Sequence, residues 1–250
     1  MKTRNILLIV EGKITEVEMF EKLGQLFLDK RTQLKFFVYK SNIYSLYHKI
    51  KEYDEFTDTI SILKDLATNS KDKAVLNGKF SEIYLVFDYD PQETAYSDEK
   101  IMEMVNLFSD ETEFGKLYIN YPMMESYKDH KNFNLSEFVS KRVDLENLSS
   151  ESYKAYIEGN GYKRNIDKYT QRHFKLLCKI NACKTNYILN QKIKFPTKQE
   201  YEVFLKQKWI LAKQIVSKNS EGSFYVLNTS SMFLLDYFGD KYYREISAIK

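Results

Sequence analysis

Glycine and proline are scarce in this chain, 8 and 3 among 250 residues. With so few turn-forming residues, most of the length is expected in regular structure rather than in linkers or disorder. Cysteine is scarcer still. Cys178 and Cys183 stand five apart in a stretch of helical spacing, with no CxxC pair and no histidine pair nearby, which excludes a zinc site or a disulfide framework. His48, His130 and His173 are scattered, so histidine-based metal chemistry is excluded too. Any metal must then be held by carboxylates, and hard oxygen ligands select Mg²⁺ or Mn²⁺. Long apolar runs are also missing. None approaches the ~20 residues that a membrane span needs. The five apolar residues after Asn5 fall short of the ~7–15 of a signal-peptide core. A cytoplasmic protein with no membrane partner is expected.

What is present is a large apolar and aromatic fraction, 43% and 15%, enough to bury the core of one large domain or two small ones. The net charge of +3 conceals an asymmetry. Residues 1–126 hold 16 Lys and Arg against 22 Asp and Glu, whereas residues 127–250 hold 22 against 13. Residues 163–218 alone carry 14 basic and 3 acidic side chains. An acidic half joined to a basic half suggests a metal-binding catalytic unit beside a unit that grips a polyanion. Lysine-rich helices with solvated faces would give the same count, and charge alone leaves both readings open. Under the first reading Lys175 and Lys179, one helical turn apart, are the expected phosphate contacts.

The first half alternates strands and helices. Ile6-Leu7-Leu8-Ile9-Val10 is a β-branched, uninterrupted run of the kind found in strands buried on both faces. It breaks at Glu11-Gly12. A helix is predicted over 15–28, with Val17, Phe20, Leu23 and Phe27 on one apolar face. A strand follows at 34–39, and helical pieces run from Ile43 to Ala67. Ile83-Tyr84-Leu85-Val86-Phe87 is a third strand, ending at Asp88-Tyr89-Asp90-Pro91 because proline has no amide to donate. Ile101, Met104, Val105 and Phe108 mark an amphipathic helix, and a strand over 117–121 ends at Pro122. This order implies an α/β fold, a mainly parallel sheet flanked by helices with right-handed crossovers. From Asn134 onward a mostly helical pattern takes over. It is clearest over 201–215 and weaker over 174–187, with Gly159-Asn160-Gly161 as a hinge. Two domains are expected, 1–130 catalytic and 131–250 binding substrate or partner.

In open α/β sheets, ligands bind beyond the carboxyl ends of the strands, where strand order reverses. Glu11 directly follows the first strand, and Asp88 and Asp90 follow the third. If those strands are neighbours, three carboxylates meet in one crevice, with Tyr89 turned away by the pleat. Such a cluster repels itself unless a cation lies within it. Glu125, after the strand over 117–121, emerges on the same edge, and Lys13 at the start of the first helix is placed to reach a phosphate.

Leu8-Ile9-Val10-Glu11-Gly12-Lys13-Ile14-Thr15-Glu16 and Val86-Phe87-Asp88-Tyr89-Asp90 resemble the two motifs of Toprim domains, over roughly residues 5–126. The resemblance implies a Toprim-like, Rossmann-like fold and a metal-dependent nuclease, similar to stand-alone Toprim proteins of bacterial anti-phage and abortive-infection systems and to overcoming-lysogenization-defect nucleases. It casts Glu11 as metal ligand or general acid/base and Asp88 and Asp90 as metal ligands. In the nuclease branch a second acid follows the first glutamate by four positions. Here that position is Thr15 and Glu16 lies one further on, either a second-metal ligand or a carboxylate favoured by the helix dipole. Glu125 is a further candidate ligand. Lys128 and Lys131 are candidates for the lysine that stabilises charge on the phosphate. The substrate is expected to be RNA, including tRNA, or DNA, and a regulatory ATPase or another defence protein is a candidate partner. A non-catalytic Toprim-like module that binds a nucleotide or such an ATPase is the alternative. Topoisomerase and primase are set aside for want of their additional modules. A phosphoacceptor receiver is set aside because Gly12, not a second acid, follows Glu11.

Overall fold

A computed structural model describes residues 3–54, 57–160 and 165–249. The five apolar residues Ile6–Val10 are fully buried, as a strand covered on both faces requires, and they form the inner length of β1 (Arg4–Val10). Helix α1 (Thr15–Phe27) buries Met19, Phe20 and Leu23 together with Glu16, while Val17 and Phe27 are only half-buried. The chain then enters β2 (Thr32–Val38), parallel to β1 with Ile6 opposite Leu34. Three short helices follow, α2 (Ile43–Ile50), α3 (Thr59–Leu66) and α4 (Ser70–Leu76). Each begins at a side chain that accepts an amide from its own first turn: Asn42, Asp58 and Asn69. Strand β3 (Glu82–Asp88) lies on the other side of β1, again parallel, with Val10 opposite Val86.

Helix α5 (Asp98–Leu107) is capped by Ser97 and buries Ile101, Met104 and Val105. A tight hairpin joins β4 (Ser109–Asp110) to β5 (Gly115–Tyr121). Gly115 has φ +120, and a Cβ there would meet Leu85 Cδ1 at 2.6 Å, so this position requires glycine. The sheet runs β2-β1-β3-β5-β4, a mostly parallel mixed sheet in an α/β fold flanked by helices. From β1 the chain moves outward to β2, then returns to the opposite side for β3. Strand order therefore reverses between β1 and β3.

The chain divides into two compact units, Met1–Tyr118 and Ile119–Lys250. The second contains α6 (Leu135–Phe138), β6 (Arg142–Asp144), α7 (Ser150–Gly159), α8 (Gln171–Asn190), α9 (Lys198–Phe204) and α10 (Gln207–Glu221). After these come β7 (Ser223–Tyr225), β8 (Leu227–Asn228), α11 (Phe233–Phe238) and α12 (Asp240–Ser247). Strands β6 and β7 pair antiparallel, and β8 pairs with the end of β5 through Asn120–Asn228 and Tyr121–Leu227. The stretch over 201–215, expected as one amphipathic run, is broken at Lys206, whose extended backbone starts α10. Helix α8 is the centre of this unit, with Phe174, Leu177, Cys178, Ile180 and Cys183 buried along it. Gly159 ends α7, while Gly161 of the expected hinge and Lys163, at the start of the basic stretch, lie outside the described residues.

This unit also buries several polar groups that are tied to one another and to the backbone. Asn228 donates its side-chain amide to Met124 O (3.2 Å) and Ser126 Oγ (3.3 Å). Its own amide donates to Asn181 Oδ1 of α8 (2.8 Å). Thr229 Oγ1 donates to Ile119 O (2.7 Å), and Ser230 N donates to Asn120 Oδ1 (3.2 Å). Lys184, fully buried in α8, donates to Phe138 O (2.7 Å) and Lys141 O (2.8 Å) at the end of α6. Burial holds its ammonium well below the usual lysine range. Two carbonyls accept its N–H groups in place of water. Among the described residues no helix is long and apolar enough to cross a membrane.

Candidate functional site

Because β1 and β3 are parallel neighbours, their carboxyl ends share one edge of the sheet, at the reversal of strand order. The pairing of Val10 with Val86 continues one step as Glu11 N donates to Val86 O (3.3 Å). The Glu11 side chain then reaches across, and its Oε2 accepts the amide of Asp88 at 3.1 Å. One carboxylate from β1 is thereby fixed against the first aspartate of β3.

Gly12 and Glu16 form the second part of this corner. Glu16 is 5% exposed, and its Oε1 accepts the Gly12 amide at 3.1 Å. A Cβ on residue 12 would stand 2.6 Å from Glu16 Oε2 and 3.0 Å from Oε1. A side chain at residue 12 would displace the buried carboxylate that occupies this space. Thr15, four positions after Glu11, opens α1, and Glu16 beside it turns back toward the Glu11-Gly12 loop.

Beyond β3 the pleat alternates as expected of a strand end: Asp88 is half-buried, Tyr89 fully buried and Asp90 exposed. The Tyr89 hydroxyl bonds the Tyr96 hydroxyl at 2.9 Å, and Tyr96 donates to Asp98 in the first turn of α5. Tyr44 of α2 packs edge-on against Tyr96, with ring centroids 5.5 Å apart. Burial raises both the Tyr89 and Tyr96 hydroxyls, so they stay protonated and this chain of bonds persists at neutral pH. It anchors the loop that carries Asp90. Asp90 Oδ1 accepts the Gln92 amide at 3.2 Å. Although exposed, Asp90 is crowded enough for partial desolvation to raise its carboxyl above the ordinary aspartate value, with nearby Glu93 acting in the same direction. The motif residues were legible in the sequence. Tyr44, Tyr96 and Asp98 were not, because a tyrosine that anchors a loop has no spacing to distinguish it from a core tyrosine.

The remaining candidates lie apart in the chain. Lys13 is exposed after the Glu11-Gly12 turn. In the second unit, Glu125 sits in the 3₁₀ turn Met124–Lys128 with its Oε1 3.6 Å from Lys154. Lys128 lies over the Tyr127 ring at 5.2 Å, and Lys131 is exposed. Lys175 pairs with Glu245 at 2.6 Å and lies over Tyr242. Lys179 donates to the carbonyls of Ser247 and Ile249. Both ammonium groups on α8 thus bind the C-terminal segment of their own chain.

The donor set at the strand ends suits a hard divalent cation in kind, since Glu11, Asp88, Asp90 and Glu16 offer only carboxylate oxygens. The desolvation of Asp90 is a strain that a cation would relieve. These carboxylates are not drawn into a closed cage. Among the described residues no three His, Cys, Asp or Glu side chains stand close enough to grip an ion, and Glu11 and Glu16 each hold a backbone amide. A cavity of about 320 Å³ in the first unit is lined by Tyr47, Ile50, Ile62, Met104, Phe108 and Phe114 among others, and includes none of the acidic motif residues. No protein-family model, curated protein or solved structure matches this chain.

Proposed function

We propose that this chain is a Toprim-like, metal-dependent nuclease that hydrolyses phosphodiester bonds in RNA or DNA, acting in the cytoplasm as a toxic effector of bacterial anti-phage defence. The observation that carries the reading is the Glu11 carboxylate on the Asp88 amide. It joins the two motifs where strand order reverses between β1 and β3. The motif resemblance supplies the chemistry expected of that corner. Glu11, Asp88 and Asp90 would hold Mg²⁺ or Mn²⁺, with Glu16 the candidate for a second ion. A divalent cation bound there supplies Lewis-acid polarisation of a phosphodiester and an acidified water.

The chain's own groups set the stage for that chemistry. Gly12 and the Tyr89–Tyr96–Asp98 series fix the two loops, so the acids face a substrate from rigid strand ends rather than from free loops. The test is to incubate the purified protein with RNA and DNA, with and without Mg²⁺ or Mn²⁺. Cleavage should require the metal and disappear in Glu11→Gln and Asp88→Asn, both of which should remain folded. Full activity of Asp88→Asn would refute the assignment.

A further inference from the structure

Helix α10 turns an unusual face outward. Trp209 is 49% exposed and Val216 61% exposed, and with Lys213 they stand at i, i+4 and i+7 on one side of the helix. Beside them a groove of about 440 Å³ opens between α10 and the end of α8, lined by Leu189, Asn190, Trp209, Ala212, Lys213 and Val216. An exposed tryptophan on a groove wall is a large apolar plane left uncovered.

The charge around this plane is of one sign. Lys213 of the groove wall and the neighbouring Lys208 are exposed, and among the described residues neither pairs with a carboxylate. Lys208 lies 4.9 Å from the centre of the Trp209 ring. The carboxylates in this part of the chain are already engaged: Glu200 with Lys192, Glu202 with Lys198, and Glu221 with Arg142. Unpaired ammonium groups beside an uncovered aromatic plane complement a ligand that is anionic along a backbone and carries flat apolar groups. A single-stranded nucleic acid has both features, because its bases are free to leave the stack and its phosphates repeat. Duplex DNA offers the phosphates while keeping its bases covered.

From this we infer that the α10–α8 groove is a single-strand binding site, with Trp209 as a base-stacking platform and Lys208 and Lys213 as phosphate contacts. It deepens the nuclease reading and rests on it for the biological use of the grip, although binding is measurable without cleavage. It also places the grip on α10, since Lys175 and Lys179 of α8 are held by the C-terminal segment.

Trp209 is the chain's only tryptophan, so intrinsic fluorescence reports this groove directly. The full chain is titrated in EDTA with single-stranded oligothymidylate and oligouridylate, with a duplex of equal length, and with heparin as a baseless polyanion. Single strands should quench Trp209 strongly, whereas duplex and heparin should leave it nearly unchanged. By anisotropy, Trp209→Ala should weaken single-strand binding roughly 5- to 100-fold and Trp209→Phe should restore most of it. Lys213→Glu should reduce the slope of log K against log salt by about 0.7. Unaltered affinity in Trp209→Ala, or equal quenching by heparin, would overturn the site. So would a concentration-dependent Trp209 shift without oligonucleotide, with a dimer that Trp209→Ala abolishes, since a second copy would then be the occupant. Metal-dependent cleavage with Trp209 silent would overturn this inference and leave the nuclease reading intact. Quenching without cleavage in Mg²⁺ or Mn²⁺ would support the site and remove the nuclease reading.

Discussion

Replacing Gly12 with alanine puts a Cβ within 2.6 Å of Glu16 Oε2, closer than real Cβ atoms come to any neighbour. The far end of Glu16 must move, and in moving it releases the Gly12 amide that its Oε1 holds at 3.1 Å. A hydrogen bond to a charged group contributes about 1.5–3 kcal/mol. Gly→Ala returns about 0.4–1 kcal/mol by narrowing the unfolded ensemble. The net loss is then about 1–2 kcal/mol, or a fall in Tm of roughly 4–8 °C for a unit of this size. The assay is thermal unfolding of a four-member cycle: wild type, Gly12→Ala, Glu16→Ala and the double variant. With Glu16 truncated the obstruction is gone, so Gly12→Ala should become neutral or stabilise by up to about 1 kcal/mol. The same penalty in both backgrounds would refute the argument that residue 12 is glycine because of the carboxylate behind it.

The folded state holds the Asp90 proton more tightly than the unfolded chain does, so Asp90 contributes stability at acid pH that is lost as pH rises through its raised value. Asp90→Asn should therefore match wild type near pH 3 and exceed it in Tm at pH 7, and added Mg²⁺ should raise the Tm of wild type more than that of the variant. Asn228→Ala removes the donors to Met124 O and Ser126 Oγ and should lower stability by about 2–4 kcal/mol, read as a lower urea midpoint. For Lys184 the sign is opposite to that of Asp90. Its folded value lies below the usual 10.5, so the unfolded chain binds more protons and wild-type stability climbs with pH up to about 10. Lys184→Met should lose that climb in a pH series of denaturation curves.

Much of the first unit was legible because its signals are local. A run such as Ile6–Val10 has one stable use, a strand buried on both faces, and the acids that end such runs mark the carboxyl edge of a sheet. Helix α1 began and ended where its periodicity placed it, within a residue. Short elements without a periodic pattern were not legible. Strands β4, β6, β7 and β8 have two or three residues each, too few for alternation to register. Lys184 read as one more basic residue of a charged stretch, because nothing in a linear sequence reports that two carbonyls 43 and 46 residues earlier will accept its protons. Trp209 falls within the stretch read as amphipathic without being assigned to its apolar face, and only the packing shows that it lies outside the core.

The bonds that seat the Met124–Lys128 turn come from residues about a hundred positions further along: Ser126 and Leu227 are 101 apart, and Met124 and Asn228 are 104 apart. On a ribosome adding about 5–20 residues per second, that interval lasts roughly 5–20 s. Throughout it the turn bearing Glu125 lacks the partners at Leu227 and Asn228, because they have not yet been made. The order of synthesis thus imposes a delay on completion of the second unit, and a chain interrupted before Asn228 never acquires the buried network that fixes this turn.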